Sequence, residues 1–244
     1  MLRVLHLVFL TPFFCLSTLF MGFLSVAVSV FSAREARLCG RGWAKMNMWA
    51  AGMRLRVTGL DNLPSTAEGG MILASNHSSA ADIGVLLAGM PLDICWVAKA
   101  ELLKVPAMGW HLKRVHIPVA RRSSGNTGKF LQLGAERIRD GASVTIFPEG
   151  TRNRSGGDLL PFKKGAFLLA RESGRPLVPL AIVGADRLWP PGATFPQPGE
   201  IELRIGEPLD PGCFPGEDLG PLSDATRQAI RKLLAPQEPG RAAA

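Results

Sequence analysis

Between Val4 and Ala33 the chain carries no Asp, Glu, Lys or Arg: VLHLVFLTPFFCLSTLFMGFLSVAVSVFSA. No other feature restricts the possible folds as strongly. A surface helix shows an apolar stripe, and a buried helix is rarely apolar on every face for so long. The run is about twice the apolar stretch of a cleaved signal peptide, although FSA-RE at its end imitates a cleavage site and only Arg3 precedes it. As one straight helix it would measure about 45 Å, against about 30 Å of hydrocarbon. Pro12 offers a break, after which Phe13 to Phe31 spans about 28 Å. Two geometries fit: one tilted span, or a broken hairpin dipping into one leaflet. The flank that follows is basic, with Arg34, Arg37, Arg41, Lys45, Arg54 and Arg56. The positive-inside tendency places that flank, and the domain behind it, on the cytoplasmic side of the inner membrane, where the same charges can meet anionic headgroups.

Past residue 55, apolar runs with β character alternate with helical patterns. The expected strands are Met71–Ser75, Ile94–Ala98, Val115–Val119, Ser143–Phe147, Leu177–Val183 and Ile201–Ile205. Several are continuously apolar, as strands covered on both faces should be. The expected helices are Ala81–Leu87, Glu101–Trp110, Thr127–Arg139, Lys164–Glu172 and Asp224–Leu234. Alternation of this kind predicts an α/β fold, with a mixed or largely parallel central sheet flanked by helices. Three parts follow: an anchor with its basic flank at 1–54, an α/β domain at 55–210, and a Pro/Gly-rich tail at 211–244 that wraps the surface and holds one short helix.

The formal net charge of +8 favours anionic partners such as acidic headgroups, phosphorylated substrates or nucleic acid. With no tyrosine and 7% aromatic residues, the chain lacks the stacking platforms of single-stranded nucleic-acid binders. Cys15, Cys39, Cys95 and Cys213 lie far apart without a Cys-x-x-Cys pair, which points to free thiols rather than disulfides or a zinc site. A Gly-x-Ser-x-Gly elbow, a P-loop, a Gly-x-Gly-x-x-Gly turn and a His-Glu-x-x-His helix are all missing, so α/β hydrolases, nucleotide-binding folds and zinc proteases lose their usual marks.

Two polar islands remain, each after an expected strand. The first is Ser75 to Asp82, SNHSSAAD. His77 and Asp82 are five apart, so they diverge on a helix and face opposite sides of a strand. They can meet only across a turn, with His77 in the loop and Asp82 in the first helical turn. Such a pair would let His77 accept a proton from a hydroxyl while Asp82 fixes its tautomer. Ser79 and Asp82 also read as a variant capping box, which would give Asp82 no more than a role in starting the helix. The second island, FPEGTRNR, leaves Glu149, Gly150, Thr151, Arg152 and Arg154 at the carboxyl end of a strand, the edge where open α/β sheets bind ligands. Arg152 offers a planar fork for phosphate, and Glu149 can pair with it or accept a substrate hydroxyl; a solvated turn carrying a surface ion pair is the plainer alternative.

Together the islands resemble the glycerolipid acyltransferases. Asn76, His77 and Asp82 fit that family's Asn-His-x-x-x-x-Asp motif, and Phe147 to Arg152 fits Phe-Pro-Glu-Gly-Thr-Arg at every letter. WVAKAELLKVPAMGW, LPFKKGAF and PLVPLAIVG look like the flanking stretches, and the likeness runs from about Leu55 to Pro208. One motif departs: VHIPVAR keeps Ile117, Pro118 and Arg121 but puts Val115 and His116 where glycines are frequent. The resemblance implies His77 as general base and Asp82 as its orienting partner. It also implies that Arg121, Glu149, Gly150, Thr151 and Arg152, with Lys99, hold a glycerol phosphate. The implied reaction is direct acyl transfer from acyl-CoA or acyl carrier protein to the sn-2 hydroxyl of 1-acyl-sn-glycerol 3-phosphate, without cofactor or metal. Another lysolipid acceptor, such as a lyso-ornithine lipid, or a lipid-binding protein that no longer catalyses, are the competing expectations.

Overall fold

In this computed structural model, residues 6–105, 108–119, 126–155 and 157–236 are described. Seven strands form one sheet in the order β1-β7-β6-β2-β5-β3-β4. They are β1 (Met53–Thr58), β2 (Ile72–Ser75), β3 (Ile94–Lys99), β4 (Ile117–Val119), β5 (Ser143–Ile146), β6 (Leu177–Val183) and β7 (Gly199–Ile205). From β6 to β4 all neighbours are parallel. Only the β6–β7 pair is antiparallel, and β1 follows β7 in parallel. The sheet is therefore mixed and mostly parallel, as the alternating sequence implies.

Eight α-helices accompany it among the described residues: α1 (Thr11–Val28), α2 (Ala33–Ala50), α3 (Asp82–Gly89), α4 (Met108–Val115), α5 (Asn126–Arg139), α6 (Gly165–Ser173), α7 (Ala185–Leu188) and α8 (Gly220–Leu234). The two-residue alternation of the strands sorts the core into two layers. Leu73, Trp96, Leu180, Ile182 and Leu203 face one side with Val85 and Leu86 of α3. Ile72, Ala74, Val144 and Ile146 face the other with Phe130 and Ile138 of α5 and Phe167 and Leu169 of α6.

Several elements differ from expectation. The strand β1 hides behind a charged sequence, MRLRVT, because an edge strand with one wet face alternates charge and apolarity. The helix expected at Glu101–Trp110 divides into a 3-10 turn, Ala100–Lys104, and α4. Within the stretch read as a tail, α8 is a fifteen-residue helix that buries Leu222, Thr226 and Ile230. Arg204 of β7 donates to the carbonyls of Leu233 and Ala235 at its end.

The apolar run is helical from a π-turn at His6–Leu10 into α1. Pro12 sits in the first turn of α1, where its missing N–H leaves no broken bond, so it does not break the helix. Ser32 then caps α2 by accepting the Glu35 N–H, and α2 returns alongside α1. Three hydroxyls of α1 face its neighbour: Ser17 meets Asn47, Thr18 accepts from Trp43 Nε1 at 3.0 Å, and Ser25 donates to the Ala36 carbonyl at 2.8 Å. Val8, Phe9, Leu16, Phe20 and Phe23 are exposed, and Trp110 of α4 meets Phe23 edge-on and extends this apolar surface.

The basic flank is only partly available to headgroups. Arg37 is buried and grips Asp93 through both Nε and Nη2 at 2.6 Å, and Arg41 donates to the carbonyls of Met90 and Leu92. Burial works against the Arg37 charge, but its bonds and its attraction to Asp93 together hold the guanidinium above its ordinary value. Arg34, Lys45, Arg54 and Arg56 remain exposed.

A chain of two histidines also joins the hairpin to the sheet. The Trp96 N–H donates to His116 Nδ1 at 3.1 Å, so His116 carries its proton on Nε2. That N–H meets His111 Nε2 at 3.0 Å, which leaves His111 Nδ1–H to donate to Ser25 Oγ. The side chain at the departing motif position is thus interior structure. Burial, then the nearby Arg37 charge, push His111 down to about 4, and burial with the charges of His111, Arg37 and Arg137 pushes His116 well down too. Between about 4 and the ordinary 6.5 the unfolded chain binds a proton at His111 and the folded chain does not, so stability rises with pH across that window. It is expected to fall by up to about 3 kcal/mol, from His111 alone, as pH drops from neutral towards 4. Thermal melts of wild type and His111→Gln over that range check this: the variant should show a shallower slope, with His116 still carrying its own share.

Candidate active site

The pairing of β2 with β5 decides which loops meet. Ile72, Leu73 and Ala74 lie opposite Val144, Thr145 and Ile146 in parallel, so the two polar islands leave the same sheet edge side by side. Asn76 continues the ladder on the other side. Its side chain accepts the Ile182 N–H at 2.8 Å and donates to the Ile182 carbonyl at 3.0 Å, as a further strand residue would.

His77 and Asp82 do meet across a turn. His77 Nδ1 lies 2.7 Å from Asp82 Oδ2, which also accepts the N–H groups of Ser78 and Ser79 at 2.8 and 2.9 Å. Two donors already converge on that oxygen, so the imidazole meets an acceptor, Nδ1 carries the proton, and Nε2 keeps its lone pair. Asp82 opens α3 and is 0% exposed, and its Oδ1 has no hydrogen-bond partner among the described residues. Both sequence readings of this island thus hold in part. Asp82 takes the Ser79 N–H, half of a capping box, while Ser79 Oγ accepts from Ala81 N–H and donates to the Trp189 carbonyl. The His77 side chain is 13% exposed, enough for a substrate atom to reach it.

The second island holds the first by its backbone. Glu149 Oε1 accepts the His77 N–H at 2.9 Å, and the Asn153 N–H donates to the His77 carbonyl at 2.7 Å. Glu149 Oε2 accepts the Leu160 N–H at 2.9 Å. With both oxygens engaged and the residue 2% exposed, Glu149 braces His77 here and forms no ion pair with Arg152. Phe147 stacks on the imidazole at 4.0 Å with an 11° tilt, and Trp96 stacks behind it.

Gly150 has φ +66°, and a Cβ there would press on the Lys163 side chain. Gly150→Ala should therefore lose about 1–2 kcal/mol to left-handed backbone strain, read as a lower melting temperature, and activity should drop as the brace shifts. Thr151, Arg152, Arg154 and Lys163 are exposed around this loop and give the mouth a positive surface. Arg121 lies outside the described residues. Lys99 ends β3, and its side chain is likewise outside them. Among the described residues, no group of three or more His, Cys, Asp or Glu side chains is placed to hold a metal ion.

Motif reading left Phe147 without a role and passed over Asn153 and the Leu160 N–H. Phe147 sits in the quoted motif and an aromatic beside a catalytic loop is a usable signal. The other two act through backbone atoms and leave no trace in residue type.

A family model described as acyltransferase matches residues 54–183. The 1-acyl-sn-glycerol-3-phosphate acyltransferase of Bacillus subtilis is 32% identical over 73% of this chain and 87% of its own length. The chloroplastic 1-acyl-sn-glycerol-3-phosphate acyltransferase BAT2 of Brassica napus is 32% identical over 68% of this chain, a match that spans about half (48%) of the longer plant protein. Among solved structures, the 1-acyl-sn-glycerophosphate acyltransferase PlsC of Thermotoga maritima superposes with a TM-score of 0.77 at 26% identity, covering 98% of this chain and 100% of that one. A braced histidine–aspartate pair beside a basic loop, within a matched region that fills more than half of the sequence, leads to one conclusion: the chain belongs to the acyltransferase family.

Proposed function

We propose that the chain transfers an acyl group from a thioester to the sn-2 hydroxyl of 1-acyl-sn-glycerol 3-phosphate, giving phosphatidic acid. The carrying observation is His77, its Nδ1–H committed to Asp82 and its Nε2 left as an acceptor at a basic, exposed mouth. The acceptor hydroxyl gives its proton to Nε2 as its oxygen bonds to the thioester carbonyl carbon. Asp82 stabilises the imidazolium so formed. The carbon–sulfur bond then breaks, and the leaving thiolate takes the proton from His77, which returns the enzyme to its starting state. No acyl-enzyme is formed, in keeping with the absence of a nucleophile elbow. The thioester already carries the activated acyl group, so the scheme needs no cofactor or metal. Arg152, with Arg121 and Lys99, is assigned to the acceptor phosphate, and Glu149 and Gly150 to shaping the loop that presents them. The donor is acyl-CoA or acyl carrier protein; either is anionic and suits the net charge of +8.

The membrane arrangement is part of the same proposal. Because α2 lies along α1 and is itself pinned by Arg37 and Arg41 to the loop that leads into β3, α1 is held flat against the domain and presents its exposed side to one leaflet. That favours the one-leaflet hairpin over a tilted span, on the cytoplasmic face of the inner membrane.

The test is purified protein in mixed micelles with labelled acyl-CoA and, separately, acyl carrier protein. The acceptor panel holds lysophosphatidate, other lysophospholipids and a lyso-ornithine lipid. Phosphatidate formation that disappears in His77→Ala is expected. Absence of product with lysophosphatidate under both donors would overturn the proposal, and turnover of a phosphate-free acceptor alone would move it to that lipid.

A further inference from the structure

The brace on His77 does not end at Glu149. The Leu160 N–H that meets Glu149 Oε2 belongs to the same peptide unit as the Leu159 carbonyl, and in a trans peptide the two point opposite ways. That carbonyl accepts a close hydrogen bond from Arg227 Nη2, and Arg227 Nη1 donates to the next carbonyl, Leu160, at 3.0 Å. Arg227 belongs to α8, beyond the residues matched by the family model. One peptide plane thus lies between a guanidinium and a buried carboxylate. Holding its carbonyl aims its N–H, and the cationic charge polarises the plane so that the N–H donates more strongly to Glu149.

The guanidinium is itself held. Its carbon stands 5.4 Å from the centre of the Phe162 ring, and Phe162 stacks on Phe167 of the core. Thr226 beside it and Ile230 on α8 are buried, which fixes the helix, and the Arg227 side chain is only 22% exposed. One turn on, Arg231 pairs with Asp158 from the same face of α8, and its hydrogen bonds among the described residues go to that carboxylate.

We propose that Arg227 is a positioning residue for the acyl transfer. Acting through the Leu159–Leu160 peptide and Glu149, it sets the backbone of His77 and hence the place of Nε2 relative to the acceptor hydroxyl. The proposal rests on the reading of His77 as the base. A fork reaching two successive carbonyls is a task for arginine that the single ammonium of a lysine performs only in part.

The experiment compares full-length wild type, Arg227→Met, Arg227→Lys, Arg231→Gln, Glu149→Gln and the double variant Arg227→Met/Glu149→Gln. Each is measured for kcat and KM towards lysophosphatidate and for melting temperature. Arg227→Met should lower kcat about 10- to 100-fold with KM within about twofold, as expected when the reacting groups are misplaced but binding surface is kept. Arg227→Lys should fall between it and wild type. The double variant should lose little more than Glu149→Gln alone, because both act along one path. Arg231→Gln, which weakens only the outer ion pair, should keep the wild-type kcat. The proposal is overturned if Arg227→Met matches Arg231→Gln in kcat, if its deficit vanishes at temperatures well below its melting point, or if its effect adds fully to that of Glu149→Gln. An inactive wild type would instead sink the acyltransferase reading itself, so the two failures are distinguishable.

Discussion

His77→Ala is expected to lower kcat for acyl transfer by about 10²–10⁴, the range over which a positioned general base contributes. KM for the acceptor should change little, since the imidazole meets the hydroxyl proton rather than the phosphate. The protein should still fold: the clamps on His77 are backbone bonds to Glu149 and Asn153 that alanine keeps. Asp82→Asn probes the other half of the pair more cleanly than Asp82→Ala. Alanine would strand the N–H groups of Ser78 and Ser79, at about 1–3 kcal/mol for the buried Ser79 group. The asparagine oxygen can accept those bonds but cannot stabilise an imidazolium by charge, so kcat should fall by about 10² or more with a near-native melting temperature. Unchanged kcat in both variants would remove His77 and Asp82 from the chemistry.

Glu149→Gln should have the next largest effect. Both Glu149 oxygens accept backbone N–H groups, from His77 and from Leu160, inside the protein. A glutamine turns one of them into an NH₂, which sets donor against donor wherever it lands. Losing one buried bond of this kind costs about 1–3 kcal/mol and releases either the histidine loop or the 153–162 loop. The expected result is a melting temperature several degrees lower together with a kcat reduced by about 10- to 100-fold. Retention of full activity would mean that the Asn153 bond alone holds His77. A rise in acceptor KM with kcat intact would return Glu149 to the role of a direct substrate contact.

Much of the fold was legible because its signals are local. Continuous apolar runs such as LVPLAIV sit between neighbours in a sheet covered on both faces, and β6 matches its expected bounds at both ends. The strand β1 escaped because Arg54 and Arg56 on the wet side of an edge look like flanking charge. Arg37 was misplaced for the opposite reason: residue type announces a charge but not that Asp93, far along the chain, has buried it. In the site, motif spacing carried His77 and Asp82, since residues five apart converge only at a strand-to-helix turn. Glu149 was expected as a contact to the glycerol phosphate, and what the motif did not announce is that its two oxygens accept backbone N–H groups. Its two backbone partners come from residues whose side chains play no part, and the helix bearing Arg227 lies in a stretch whose prolines and glycines read as a tail.

The order of strands carries a consequence for the nascent protein. His77 follows β2, which pairs with β5 and β6, and β1 finds its partner only in β7. Every one of those pairings reaches across a long stretch of sequence, and such closures come late and slowly. The apolar helix at the front therefore leaves the ribosome well before the strands that will carry the histidine have anything to pair with. A chain stopped before Val183 lacks part of the sheet that seats the turn bearing His77, so that turn gains its full support only late in synthesis.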